Sequence, residues 1–124
     1  MGQLAQFEVE RRPTLQVLRV RGEVDISNSD EFSAAIEGVA PTQANTIVVD
    51  LSETTYLDSA AVRLLIVLAE RLKDRRNELR LVVPRASPIW SVLELTGVHK
   101  LIEVAPTLQA ATGNSSPQAS APEG

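Results

Sequence analysis

A carboxylate and a hydroxyl stand side by side in the segment DLSETTYLDSAAV, which covers residues 50–62. The apolar residues before it predict a strand that ends at Asp50, and the pattern after it predicts a helix that begins at Ser59. Asp58 and Ser59 therefore lie where a loop enters a helix. Serine is a favoured N-cap, so Ser59 has a structural interpretation. It also has a chemical one, because the N-terminus of a helix favours an anion, such as a phosphoryl group on that hydroxyl.

A phosphate on Ser59 would change the charge of this position strongly, since it adds about −1.5 to −2 charges and three acceptor oxygens. Asp58 is its neighbour in the chain. Asp25 follows another predicted strand end, so we expect it on the same rim. A partner that accepts a neutral Ser59 would meet uncompensated negative charge after phosphorylation, which is a switch without a change of fold. The structural alternatives are a turn residue for Asp25 and a favourable helix-terminus charge for Asp58.

The helix predicted from Ser59 to about Asp74 has a core face and an exposed face. A step of about 100° per residue gathers on the core face the apolar residues Ala61, Leu64, Leu65, Leu68 and Leu72. The opposite face is polar, and Ile66 and Val67 flank it. From this face we expect a partner-binding ridge of Arg63, Ile66, Val67 and Glu70. The alternative is that Ile66 or Val67 lies under a neighbouring helix.

The pattern of the whole chain predicts one α/β domain with the element order β-β-α-β-α-β-α-β. The predicted strands are residues 7–12, 15–22, 46–51, 78–84 and 101–106, and the predicted helices are residues 27–40, 59–74 and 87–96. Strands separated by helices imply parallel neighbours with right-handed crossovers. We therefore expect a mixed sheet of four to five strands packed with three to four helices.

Composition excludes several classes of protein. The 124 residues carry a net charge of −4 and no clustered basic stripe, so we expect no nucleic-acid surface and no membrane surface. Cysteine is absent, and the single histidine, His99, is interpreted as a solvated turn residue. We predict no catalytic residue, no cofactor and no metal site, and so no enzyme. No signal peptide or membrane-spanning run is recognisable, which predicts a cytoplasmic protein.

The C-terminal segment differs in composition from the rest. From about Thr112 it lacks large apolar residues and is rich in Ser, Pro and Ala. Such a segment buries too little surface to offset the entropy of ordering. The sequence therefore predicts a folded domain at residues 5–110 and a disordered tail at residues 111–124.

Three segments resemble a known family. They are GEVDISN at residues 22–28, IVVDLSETTYLDSAAV at residues 47–62 and VLELTGVHKLIEV at residues 92–104. In this order they resemble the STAS domain of the anti-sigma factor antagonists, and the resemblance covers residues 5–110. The middle segment is the most specific, because it joins a strand ending in Asp-Leu-Ser to a loop with an aromatic residue and to Asp-Ser at a helix start.

The resemblance implies the function of an anti-sigma factor antagonist. Such proteins bind an anti-sigma factor that is also a serine kinase, and the sigma factor is released. The kinase phosphorylates the serine that corresponds to Ser59, which ends the complex, and a PP2C-type phosphatase removes the phosphate. Asp25 and the helix from Ser59 belong to the contacted surface. The family commonly continues Asp-Ser-Ser-Gly-Leu, whereas Ala60, Ala61 and Val62 follow here, which bears on the identity of the partner.

Two other functions fit parts of the sequence. A non-phosphorylated STAS domain that serves as a scaffold subunit of a lipid transporter or signalling complex would share the fold. A phosphoacceptor receiver domain has a similar length and would use Asp50 as its acceptor. It needs an acidic pair after its first strand and a lysine after its last, and the segments LRVRGEVD and LIEVAP supply neither. The antagonist is therefore the preferred hypothesis.

Overall fold

The computed structural model describes residues 4–39 and 46–113. Within them the elements are β1 (Ala5–Arg11), β2 (Leu15–Val24), α1 (Ser29–Val39), β3 (Thr46–Leu57), α2 (Ser59–Asp74), β4 (Glu78–Val82), α3 (Pro88–Thr96), a 3₁₀ turn (Val98–Lys100), β5 (Glu103–Ala105) and α4 (Leu108–Gly113). The predicted element order and mixed sheet are confirmed. The predicted end of the first helix at residue 40 and residues 114–124 of the predicted tail lie outside the described residues. Within the described ranges, no helix has the length and apolar character needed to cross a membrane.

Each connection between parallel strands leads to the adjacent strand, and all of these connections progress towards the same edge of the sheet. The strand order is β1-β2-β3-β4-β5, with β1 antiparallel to β2 and all later neighbours parallel. Since such crossovers are right-handed, α1, α2 and α3 lie on the same face of the sheet. There they bury the main core, whose largest fully buried side chains include Phe32 and Ile36 from α1, Leu65 and Leu68 from α2, and Leu93 from α3.

Helix α4 covers part of the opposite face. A smaller apolar cluster there joins Leu15, Val17, Val48, Val82, Ala105 and Ala111. Arg80 is almost fully buried, and its Nη1 donates to the carbonyl oxygen of Ala111 at 2.8 Å. Its Nε donates to Oε2 of Glu78 at 3.1 Å. The guanidinium therefore holds α4 against β4, and residues 111–113, which the sequence assigned to the tail, belong to this helix.

Strand β3 continues past its predicted end and runs to Leu57. Two register shifts against β2 accommodate the polar residues that were predicted to form a loop. Thr54 is buried among them, and its hydroxyl donates to the carbonyl oxygen of Val20 at 2.8 Å. The prediction was wrong because such irregularities interrupt the hydrophobic pattern that reveals a strand in a sequence. The strand itself thus carries the chain to Asp58.

The chain after α3 also differs from the prediction. His99 is half-buried rather than solvated, since its Nδ1 lies 3.2 Å from the carbonyl oxygen of Leu93 and its ring centroid lies 6.2 Å from that of Trp90. The reason is the 3₁₀ turn that follows Gly97, which folds the chain back onto α3. This turn also occupies residues next to the predicted last strand, which shortens to Glu103–Ala105.

Two glycines give a matched test of this fold. Gly22 lies on β2 with a φ of +99°, and a Cβ built there would collide with the carbonyl oxygen of Leu4. Gly22→Ala is therefore expected to lower the free energy of unfolding by about 1–3 kcal/mol. Gly38→Ala in α1 meets nothing within 4 Å and is expected to raise it by about 0.5–1 kcal/mol. Urea denaturation measures both, and a Gly22→Ala protein as stable as wild type would contradict the packing of β1 against β2.

Candidate functional site

The predicted site lies at the carboxyl edge of the parallel strands β2 and β3. Because the two strands are neighbours, the β2–α1 turn (residues 25–28) meets the junction between β3 and α2. A backbone bond joins the two segments, in which the N–H of Asp58 donates to the carbonyl oxygen of Val24 at 3.2 Å. Asp25, which follows Val24, therefore lies on the same edge as Ser59.

Asp58 is the N-cap of α2, and its side chain also connects the start of this helix to the β2–α1 turn. Its backbone is extended, with φ −89° and ψ 178°, and its Oδ1 accepts from the N–H of Ala61 at 2.9 Å. Its Oδ2 accepts from the N–H of Ile26 in the β2–α1 turn at 3.0 Å. The interpretation of Ser59 as the N-cap is therefore wrong, because the aspartate one residue earlier already fills that position.

Ser59 is the first residue of α2, and its side chain is exposed. The first N–H groups of a helix lack acceptors within it and give this end a partial positive charge. An anion on the Ser59 hydroxyl is therefore compatible with the helix. Because Asp58 supplies the cap, a modification of the Ser59 hydroxyl leaves the cap bond in place.

Asn28 holds the β2–α1 turn from within. It is buried, its Oδ1 accepts from the N–H of Asp25 at 2.9 Å, and its Nδ2 donates to the carbonyl oxygen of Glu23 at 2.9 Å. These bonds commit the side chain of Asn28 to the turn. The turn thus keeps one conformation through side-chain bonds to its own backbone.

Asp25 carries a stabilised negative charge. Its Oδ1 accepts from the N–H of Ser27 at 2.8 Å and from the Ser27 hydroxyl at 2.5 Å. Hydrogen bonds to the charged form lower the pKa of Asp25, and the bond from the Ser27 hydroxyl contributes most. Asp25 and Asp58 therefore place two carboxylates on the edge that carries Ser59.

A groove between α1 and α2 begins beside Ser59. It encloses about 230 Å³, and its walls are formed by Ser29, Ala60, Arg63, Leu64 and Val67. Val67 is 41% exposed. Leu64, which the sequence assigned to the core face, is half-buried, packs against the main core and also lines the groove. Arg63 and Val67 of the predicted ridge thus face the groove.

Ile66 and Glu70 lie on the other flank of α2. They line a separate pocket of about 180 Å³ together with Lys73 and Leu101, and Ile66 also packs against the main core. The four predicted ridge residues therefore do not form one surface. The reason is helical geometry, because residues four apart share a flank while neighbouring residues are rotated apart.

Ile26 also lies on this edge, and nothing in the sequence pattern singles it out. Its side chain is 76% exposed at the β2–α1 turn, next to the bond that its N–H makes with Asp58. The available signal was one isoleucine inside the polar run DISNS. A single exposed apolar residue is too common to be informative without its surroundings.

Asp50 does not occupy the position of a receiver acceptor. It is buried in the middle of β3, its Oδ1 accepts from the N–H of Ser52 at 3.0 Å, and its Oδ2 lies 3.8 Å from Nε of Arg19. These contacts are those of a structural residue. Among the described residues, no group of three or more His, Cys, Asp or Glu side chains is placed to hold a metal ion.

Comparison with known proteins gives a family and several relatives. The family model of the STAS domain matches residues 6–111. The anti-sigma-B factor antagonist of Listeria monocytogenes serovar 1/2a is 24% identical to this chain over 99 residues, which are 79% of this chain and 86% of that protein. The family model therefore matches most of the chain.

Solved structures share the fold over nearly their whole length. An anti-sigma factor antagonist from Mycobacterium paratuberculosis has a TM-score of 0.78 and 25% identity, with 89% of this chain and 92% of that chain covered. The anti-sigma factor antagonist SpoIIAA in its unphosphorylated form has a TM-score of 0.68 and 22% identity, with 93% and 100% covered. The phosphorylated form of SpoIIAA from Bacillus has a TM-score of 0.59 and 21% identity, with 89% and 99% covered. With a matching family model over most of its length and the same fold, the chain belongs to the STAS domain family.

Proposed function

We propose that this STAS domain is an anti-sigma factor antagonist. Its unphosphorylated form binds an anti-sigma factor that has serine kinase activity, and the anti-sigma factor then releases its sigma factor. Phosphorylation of Ser59 by this kinase ends the binding, and a PP2C-type phosphatase restores it. The names of the Listeria and Mycobacterium relatives support the antagonist function. That SpoIIAA has a phosphorylated and an unphosphorylated form supports the switch.

The position of Ser59 is the observation that carries this proposal. Its hydroxyl is exposed at the first residue of α2, and Asp58 rather than Ser59 makes the cap bond. A kinase can therefore reach the hydroxyl, and its modification does not remove the bond that starts the helix. A serine that served as the cap would lose this bond on phosphorylation or have to remake it.

The charge of the edge explains why a phosphate would prevent binding. Asp25 and Asp58 already contribute two carboxylates, and the hydrogen bonds from Ser27 lower the pKa of Asp25. A partner that fits this edge is complementary to its present charge. A phosphoryl group adds about −1.5 to −2 charges that this partner would have to desolvate without a counter-charge.

The proposed partner surface follows from the placement of the residues. Its centre is Ser59 with Asp25 and Asp58, and the adjoining groove contributes Arg63 and Val67. Ile66 and Glu70 are proposed as a second, separate contact area on the other flank of α2. The flank residues are expected to contribute less, because Ile66 is partly occupied in packing against the core.

Substitution of Ser59 tests the switch. Ser59→Ala is expected to bind the anti-sigma factor as tightly as wild type and to resist phosphorylation. Ser59→Asp is expected to bind about tenfold more weakly, because a carboxylate reproduces part of the charge of a phosphate. Isothermal titration calorimetry and phosphopeptide mass spectrometry, with each purified serine-kinase anti-sigma factor of the host and ATP, measure both quantities.

The control for this experiment is Ser91→Ala, since Ser91 is also exposed but lies on α3. It is expected to keep both binding and phosphorylation. Equal affinities of the wild type, Ser59→Ala and Ser59→Asp for the anti-sigma factor would disprove the switch. Binding to a transporter subunit with no phosphorylation of Ser59 would instead favour the scaffold function.

Substitution of Val67 tests whether the groove between α1 and α2 contacts the partner. Val67→Asp is expected to weaken binding by about tenfold or more, because it places an unpaired charge in an apolar contact. Val9→Asp is the matched control, since Val9 has a similar exposure of 45% against 41% but lies on β1. Calorimetry gives the affinities, and thermal melting shows whether each variant is folded. Unchanged affinity of the Val67→Asp protein would remove the groove from the interface.

Substitution of Ser27 tests the cause of the lowered pKa of Asp25. Ser27→Ala removes the largest cause of the lowered pKa of Asp25, so this pKa is expected to rise towards its ordinary value. A lowered pKa stabilises the fold above the unfolded-state pKa, and this contribution is lost as the pH falls through the folded-state pKa. A ¹³C NMR titration of the Asp25 carboxyl measures the shift. Ser29→Ala is the control, because the Ser29 hydroxyl donates to the carbonyl oxygen of Ile26 and is expected to leave the pKa of Asp25 unchanged.

A further inference from the structure

Ile26 is exposed in a turn whose conformation is fixed by hydrogen bonds, so the turn cannot rearrange to bury it. Its side chain is 76% exposed. The β2–α1 turn around it is fixed by the bonds of Asn28 to Asp25 and Glu23 and by the bonds of Ser27 to Asp25. At this exposure the side chain contributes little to the apolar core. The isoleucine is therefore available to contact a partner.

Asp58 determines where Ile26 is held. The N–H of Ile26 donates to Oδ2 of Asp58 at 3.0 Å, while Oδ1 of the same carboxylate accepts from Ala61 at the start of α2. The backbone of Ile26, and with it the point from which the apolar side chain projects, is thereby held at a fixed position relative to Ser59. A backbone segment that is already ordered loses little conformational entropy on binding, which favours the use of Ile26 as an anchor.

The surroundings of Ile26 define what it fits. Ser29, whose hydroxyl donates to the carbonyl oxygen of Ile26, also forms one wall of the groove that contains Val67. An exposed apolar side chain, an adjoining groove and the carboxylates of Asp25 and Asp58 thus lie on one edge. The complementary partner has an apolar pocket for Ile26 and cationic side chains at the rim of that pocket.

We propose that Ile26 is the apolar anchor that determines partner affinity, and that Asp58 is the positioning residue that presents it. This inference rests on the proposed function, because the partner is taken to be the serine-kinase anti-sigma factor that acts on Ser59. It assigns the binding energy to a residue of the β2–α1 turn in addition to α2. Asp58, the residue before the proposed phosphoacceptor Ser59, would thus position Ile26 in addition to capping the helix.

Truncation of Ile26 is the first test. Ile26→Ala is expected to weaken binding of the purified serine-kinase anti-sigma factor by about tenfold or more, as for a central interface residue. Ile26→Leu is expected to restore affinity to within about threefold, because it refills an apolar pocket. Leu95→Ala is the matched control, since Leu95 is 87% exposed but lies on α3, and it is expected to bind like wild type. Thermal melting of all three variants verifies that each is folded.

The substitution Asp58→Asn distinguishes the bond of Asp58 that positions Ile26 from the bond that caps α2. Asparagine is a good N-cap, so its amide oxygen keeps the bond to Ala61, while its NH₂ group faces the N–H of Ile26 and cannot accept from it. The amide of Ile26 is expected to exchange with deuterium faster, and that of Ala61 to keep its rate. Asp58→Asn is expected to weaken binding more in wild type than in an Ile26→Ala background, where only the loss of the Asp58 charge acts.

The outcomes distinguish this inference from the function on which it rests. If no serine-kinase anti-sigma factor of the host binds or phosphorylates the wild type, the proposed function fails, and the anchor fails with it. If the wild type is bound and phosphorylated on Ser59 but Ile26→Ala binds equally well, the inference alone is overturned. It is also overturned if Leu95→Ala weakens binding as much as Ile26→Ala. An equal effect of Asp58→Asn in both backgrounds overturns the positioning role of Asp58.

Discussion

The site depends on one carboxylate shared between two segments of the chain. Asp58 accepts from Ala61 in the first turn of α2 and from Ile26 in the β2–α1 turn. Hydrogen bonds to a charged acceptor contribute about 1.5–3 kcal/mol, more than those between neutral groups. This carboxylate therefore fixes the start of α2 and the position of the turn together, and it leaves the hydroxyl of Ser59 exposed between them.

The sheet topology makes this sharing possible. Because β2 and β3 are parallel neighbours, their carboxyl ends meet, and the segments that follow them lie side by side. Helices α1, α2 and α3 pack on one face of the sheet, and Arg80 holds α4 against the other. Both faces carry helices, so the edge at which the two loops meet stays accessible. Binding sites in open parallel sheets likewise lie outside the carboxyl ends of the strands.

The N-terminus, the buried face and the two exposed flanks of helix α2 have different roles. Its N-terminus presents Ser59, and its buried face, with Leu65 and Leu68, anchors it to the sheet. One exposed flank forms the groove with α1, and the other forms a pocket near Leu101. A rigid helix with a packed core face keeps these surfaces at fixed positions. The proposed phosphorylation of its first residue would therefore act on a preformed surface and would need no movement of the fold.

The sequence by itself determined the element order, most of the core face of α2 and the positions of Asp25, Asp58 and Ser59 after parallel strands, since these follow from local spacing and from strand connectivity. It did not determine the length of β3, the cap of α2 or the exposure of Ile26. Each of these depends on which donors and acceptors the fold brings together. The second oxygen of Asp58 meets an N–H that lies 32 residues earlier in the chain, and only the tertiary structure decides such a contact.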